Sequence, residues 1–152
     1  MRILAIDSSG LVATVAVVEE ENEISKTIAE YTINYKKTHS QTLLPMLDEI
    51  VKMTDMNLDT IDAIAVAGGP GSFTGVRVGL AAARAFGLAL KIPVYGVTCF
   101  ESVVFGIHKP VAVVLDTKRD DFYVQFFDEN AKANAAPAVL SAEQLRQKLP
   151  FS

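Results

Sequence analysis

The 152-residue sequence has one cysteine, Cys99, and two histidines, His39 and His108. A lone cysteine excludes an internal disulfide and a cysteine-rich metal site, and its apolar neighbours favour a small buried hydrophobe over a nucleophile. The histidines are far apart and have no second ligand at helical spacing, so nothing here outlines a zinc or iron site. A basic stripe of the kind that replaces phosphate counterions is also lacking. The net charge is −4, and Lys36-Lys37 and Lys118-Arg119 are the only basic doublets. Direct, tight RNA binding by this chain alone is therefore disfavoured. The opening residues meet Asp7 too early for a signal peptide, and Arg77 and Arg84 interrupt the longest apolar stretch as a membrane span. These absences describe a cytoplasmic protein without a membrane partner.

Half of the residues are hydrophobic, ample for one ordinary domain or two small lobes. The most informative stretch runs from Gly68 to Leu90. It opens as a glycine-rich turn and continues as an apolar segment of helical length, in which Gly75, Gly79, Ala83 and Gly87 recur every four residues. On a helix they form one side without bulk. Each glycine costs a helix about 1 kcal/mol relative to alanine, so the close approach of another backbone is the expected reason for them.

Arg2 to Ile6 reads as a β-strand ending at Asp7-Ser8-Ser9-Gly10. Leu11 to Val18 and Ile24 to Tyr35 read as two further strands, with Glu19 to Glu23 as a solvated hairpin tip. Thr38 and Gln41 fit a capping box. The helix after them carries Leu43, Leu47, Ile50, Val51 and Thr54 on one face, broadened by Leu44, and Pro45 is expected to kink it or displace its start. Asp62 to Ala67 reads as a strand whose Ala63, Ile64, Ala65 and Val66 are all apolar, as a central parallel strand should be. The small-residue helix, a strand at Ile92 to Val97 and a helix from Thr98 to about Gly106 follow. A second unit begins at Lys109-Pro110, with strands at Val111 to Leu115 and Asp121 to Phe127, a loop at Asn130 to Pro137 and a helix capped by Ser141 and Gln144. The expected division is residues 1–108 and 109–152, the second lobe looking truncated because two strands and one helix bury little.

Three antiparallel strands followed by helix–strand–helix–strand–helix is the ribonuclease-H-like order. The fold class is thus α/β, an actin-like ATPase fold with one complete lobe and part of a second. In that fold the first hairpin can meet phosphate, making Asp7, Ser8, Ser9 and Gly10 candidate vestigial phosphate-binding residues. The plainer alternative is an Asx-type turn. Gly68 to Gly75 lacks the Gly-Lys-Ser/Thr ending of a Walker A loop, and a strand-to-helix turn capped by Ser72 or Thr74 accounts for it better. Adjacent His39 and Ser40 do not face each other on a helix, and no nucleophile elbow is present. The small-residue helix is apolar or small almost all round apart from Arg77 and Arg84, so a second cover is expected, either more chain or a partner protein.

Ile6-Asp7-Ser8-Ser9, His39-Ser40 with Leu43-Leu44-Pro45, and Gly69-Pro70-Gly71-Ser72-Phe73-Thr74-Gly75-Val76-Arg77-Val78-Gly79 together resemble the TsaB (YeaZ) family, and Leu115 to Arg119 with Tyr123 extends the likeness. The resemblance implies an actin-like fold and a place beside TsaD and TsaE in making threonylcarbamoyladenosine next to the tRNA anticodon. It implies a scaffold or activator role without catalysis. TsaD carries a closely spaced pair of metal-binding histidines in the segment that here reads Thr98-Cys99-Phe100-Glu101-Ser102, without histidine. It implies pairing through the first two helices with TsaD, or with a second copy when alone, and contact with tRNA only within the complex. No catalytic residue, metal or cofactor is implied beyond weak nucleotide binding at a shared interface.

The expected interface is Leu43, Leu44, Leu47, Phe73, Gly75, Val76, Gly79 and Ala83. On that reading Gly79→Leu breaks pairing and leaves the chain folded. Family members are usually longer, so the chain reads as truncated or shortened. The rivals are a small-molecule kinase or ATPase of the same fold, using Asp7, the 68–75 turn and Asp116-Thr117-Lys118, and a metal-dependent peptidase, which the missing histidine pair disfavours.

Overall fold

The computed structural model describes residues 1–34 and 38–149, in two compact units that divide after Val97. The expected strand end at Tyr35 and the Lys36-Lys37 doublet lie outside the described residues.

In the first unit, β1 (Arg2–Asp7), β2 (Ala13–Glu21) and β3 (Ile24–Ile33) form an antiparallel meander. Helix α1 (His39–Met53) leads to β4 (Ala63–Ala67), and α2 (Phe73–Leu90) leads to β5 (Val94–Val97). The sheet order is β3-β2-β1-β4-β5, with β4 parallel to β1 and β5 parallel to β4. Helical crossovers are what make the parallel pairs reachable, because a tight turn can join only antiparallel neighbours. Alternation places Leu4, Ile6, Val15, Val17, Ile64 and Val66 on one face of the sheet, where they bury with Leu43, Met46, Leu47 and Ile50 of α1. Both helices lie on that face. A side chain added at Gly79 of α2 would come within 3.8 Å of Val66 and Ile6.

Several boundaries differ from those read in the sequence, each for a local reason. Glu19 to Glu21 continue β2, with Glu19 paired to the Arg2 guanidinium at 3.0 Å, and the hairpin tip is Asn22-Glu23, both at positive φ. Thr38 is the N-cap of α1 but its side chain makes no cap hydrogen bond, so the expected capping box is absent; its hydroxyl lies 2.9 Å from that of Ser40. Pro45 sits inside α1 without displacing its start, which is His39. Ser72 caps α2, accepting from the Gly75 amide at 3.2 Å, and Lys91 closes it in a left-handed conformation.

The second unit contains α3 (Cys99–Val104), β6 (Val111–Asp116), β7 (Asp121–Phe127), β8 (Ala138–Ser141) and α4 (Ala142–Lys148). Its sheet is antiparallel, in the order β6-β7-β8. The boundary expected at 108/109 moves to 97/98 because Phe100 and Val104 of α3 bury with Val113 and Phe127. The sequence missed β8, four residues whose Leu140 is the only one buried; its register against β7 shows only in the pairing. The Ser141–Gln144 capping box forms as expected, and Thr98 makes a second one with Glu101.

Two outcomes are expected from these contacts. An alanine Cβ at Gly75 would lie 1.9 Å from the Ser8 carbonyl oxygen. Gly75→Ala should therefore lower unfolding stability by about 3 kcal/mol or more, against the helix-propensity gain of about 1 kcal/mol that alanine brings elsewhere. Urea titration followed by circular dichroism decides this, and an unchanged or raised midpoint would contradict the packing. The Glu101 carboxylate accepts from the Thr98 amide and hydroxyl, both at 2.8 Å, which lowers its pKa below the ordinary 4.5. A depressed carboxylate pKa contributes stability above the unfolded value that is lost as pH falls through the folded value. The melting-temperature advantage of the natural chain over Glu101→Gln should shrink on acidification below pH 4.5, whereas a pH-independent gap would show that the charge contributes nothing.

Candidate functional site

The turn after β1 is built from the residues nominated for phosphate. Asp7 accepts from the Ser9 amide at 2.8 Å and the Ser9 hydroxyl at 2.7 Å through the same oxygen, an Asx-type turn. Ser8 is buried and donates its hydroxyl to the Gly75 carbonyl of α2 at 2.8 Å. The Ser72 amide donates to the Ser9 carbonyl at 2.6 Å. A ring nitrogen of His39, Nε2, lies 2.8 Å from the Gly10 carbonyl. The chain thus brings Asp7, Ser8, Ser9 and Gly10 together, and the contacts seen at each are internal.

The glycines at the start of α2, and Gly71 in the loop before it, follow from this approach. A Cβ at Gly71 would lie 2.4 Å from the Ser9 carbonyl oxygen, and one at Gly79 would lie 2.6 Å from the Ser8 hydroxyl. Gly87 is constrained likewise by Val94, 2.3 Å from its absent Cβ. By length and composition α2 passes as a membrane span, but here its small-residue side lies on the sheet.

Most of the residues nominated for the interface lie inside the chain's own fold. Leu43, Leu47, Gly75, Gly79 and Ala83 are all buried within the chain's own fold. The backbone whose approach the small residues permit is that of Ser8, so the strip offers no surface to a partner. Gly79→Leu would break the chain's own packing, contrary to the sequence expectation. Of the nominated residues, Leu44 at 56% and Phe73 at 70% are exposed, and Val76 is half-buried. The Arg77 guanidinium stacks over the Phe73 ring, 3.7 Å from its centroid. Arg77 and His39 are contributors that the sequence reading left without a structural role.

In the second unit, Asp116 repeats the turn geometry, accepting from the Lys118 amide at 2.7 Å and the Lys118 ammonium at 3.0 Å. The ammonium hydrogen bond is the main reason its carboxyl is held below the ordinary 3.8. Thr117 donates its hydroxyl to the Asp121 carbonyl at 2.8 Å. Among the described residues, no three His, Cys, Asp or Glu side chains cluster to hold a metal ion.

Residues 26–149 match the family model described as TsaD, tRNA N6-adenosine threonylcarbamoyltransferase. The tRNA threonylcarbamoyladenosine biosynthesis protein TsaB of Bacillus subtilis is 33% identical over 130 residues, covering 84% of this chain and 55% of that protein. The chain covers 52% of the TsaB of Haemophilus influenzae, and so spans about half the length of these curated relatives. Among solved structures, YeaZ from Pseudomonas aeruginosa superposes with a TM-score of 0.78 at 26% identity, covering 99% of this chain and 71% of that one. An exopolyphosphatase from Cytophaga hutchinsonii, at 10% identity and a TM-score of 0.53, shares the fold alone. The fold is the actin-like ATPase, ribonuclease-H-like one. Matched by that model over most of its sequence, the chain belongs to the TsaD-related family, within which it is similar to the TsaB (YeaZ) proteins.

Proposed function

We propose that this chain is the non-catalytic scaffold that pairs with TsaD, which performs threonylcarbamoyl transfer to the adenosine 3′ to the tRNA anticodon. The observation that carries it is the division of labour on α1 and α2. Their inner sides are consumed by the chain's own core, while Leu44, Phe73 and Arg77 stand outward and exposed on neighbouring helices of one sheet face. An exposed aromatic with a stacked guanidinium, with an exposed leucine on the adjoining helix, has the composition of an interface centre.

The segment Thr98 to Ser102 carries no histidine, which supports leaving catalysis to TsaD. The net charge of −4 supports contact with tRNA only through the complex. On this reading the protein works in the cytoplasm, away from membranes, alongside TsaD and TsaE. It forms a homodimer when alone and needs no cofactor of its own, any nucleotide being held weakly at a shared interface.

Size-exclusion chromatography with light scattering, on the chain alone and mixed with TsaD, should give a 1:1 heterodimer in place of the homodimer. Leu44→Asp and Phe73→Asp should each weaken pairing by at least about tenfold with an unchanged melting temperature, since both side chains are solvent-exposed in the free chain. Undiminished pairing in both variants would overturn the docking face.

A further inference from the structure

We propose that His39 is the positioning residue that fixes the start of α1 against α2, and thereby the spacing of Leu44 and Phe73 across the docking face; this rests on the pairing proposed above. Three observations carry it.

His39 opens α1, and its ring nitrogen Nε2 is 2.8 Å from the carbonyl of Gly10, in the turn after β1. A carbonyl only accepts, so Nε2 carries the proton and donates, which the neutral ring and the imidazolium both allow. The same ring reaches α2. Its Cδ2 lies 3.1 Å from the place a Cβ would occupy on Gly75, so the ring edge fills part of the space that glycine leaves. Finally, the start of α1 lacks its usual local anchor, because the N-cap Thr38 makes no side-chain cap hydrogen bond. The imidazole is thus a tie between the start of α1 and the rest of the unit.

The turn that receives the tie is itself fixed to α2, through Ser8 donating to the Gly75 carbonyl and the Ser72 amide donating to the Ser9 carbonyl. The starts of both helices are therefore referred to one turn. Leu43, Met46, Leu47 and Ile50 hold α1 onto the sheet, but apolar burial is non-directional and tolerates sliding along the helix axis. A hydrogen bond at the first residue supplies the axial stop. Leu44 is five positions beyond His39 and Phe73 two positions before Gly75, so the stop acts within about one and a half helical turns of the docking side chains.

The test compares His39→Ala, His39→Gln and Leu44→Asp by heterodimer affinity and melting temperature. Glutamine can place an amide N–H near the same carbonyl. His39→Ala should weaken pairing with TsaD by about tenfold, one lost hydrogen bond's worth of alignment. His39→Gln should recover most of that loss, and both variants should keep a near-natural melting temperature. Natural affinity in His39→Ala, with pairing lost in Leu44→Asp, would overturn the positioning role and leave the docking face standing. Equal losses in His39→Ala and His39→Gln would also overturn it, because bulk packing rather than the hydrogen bond would then be responsible. Natural affinity in Leu44→Asp and Phe73→Asp would remove the docking face and this proposal together. As a partner-free readout, the amide resonances of Gly10, Leu11 and the first turn of α1 should move in His39→Ala and return toward their natural positions in His39→Gln.

Discussion

The buried hydroxyl of Ser8 sits in the groove between Gly75 and Gly79, donating to the Gly75 carbonyl. This contact brings the end of the central strand against the first turns of α2 at a distance that no residue with a side chain would permit at Gly75. The glycine-rich loop from Gly68 to Ser72 exists in this geometry to deliver α2 to that place, with the Ser72 amide bonded back to Ser9. Helix stability given up at Gly75 and Gly79 is offset by a buried hydrogen bond and by the burial of Ala83 and its neighbours against β1 and β4.

That choice decides what the two helices can offer elsewhere. With the small-residue side of α2 committed inward, the outward surface is formed by Phe73, Arg77 and their exposed neighbours, and on α1 by Leu44. A glycine strip facing a partner would bring two chains into backbone contact. An aromatic under a guanidinium instead presents a broad, partly polar surface. The two units also repeat one local device, an aspartate at the end of a strand that accepts from the amide two residues on: Asp7 from Ser9 and Asp116 from Lys118. Each unit continues with an antiparallel meander and a helix, so one supersecondary plan is used twice.

Particular residues show where sequence reasoning was sufficient. The strand at Arg2 to Ile6, the apolar run of β4, Ser141 as a helix cap and a cap at Ser72 or Thr74 were legible because each depends on chain neighbours or on a fixed period. The capping box at Thr38 was read in error since the pattern of residue types does not fix which oxygen the first amides find, and here Thr38 lies beside Ser40 instead. Strand β8 was invisible because only Leu140 in it is buried, leaving no alternation to detect. The boundary between the units was misplaced for a similar reason: α3 is apolar on the side that meets Val113 and Phe127, and the sequence does not say which core claims it.

The sequence by itself determined that α2 carries a bulk-free side at a spacing of four, that some backbone must approach it, and that a turn of aspartate, serines and glycine ends β1. Those features depend on residue identity and helical period alone. Only the tertiary structure decided that the two belong together, because the partner of Gly75 is Ser8, 67 residues earlier in the chain. It likewise decided that Leu43 and Leu47 face the core while Leu44 and Phe73 face outward. A helix with apolar residues nearly all round has no sequence-encoded inside; the sheet against which it packs defines one.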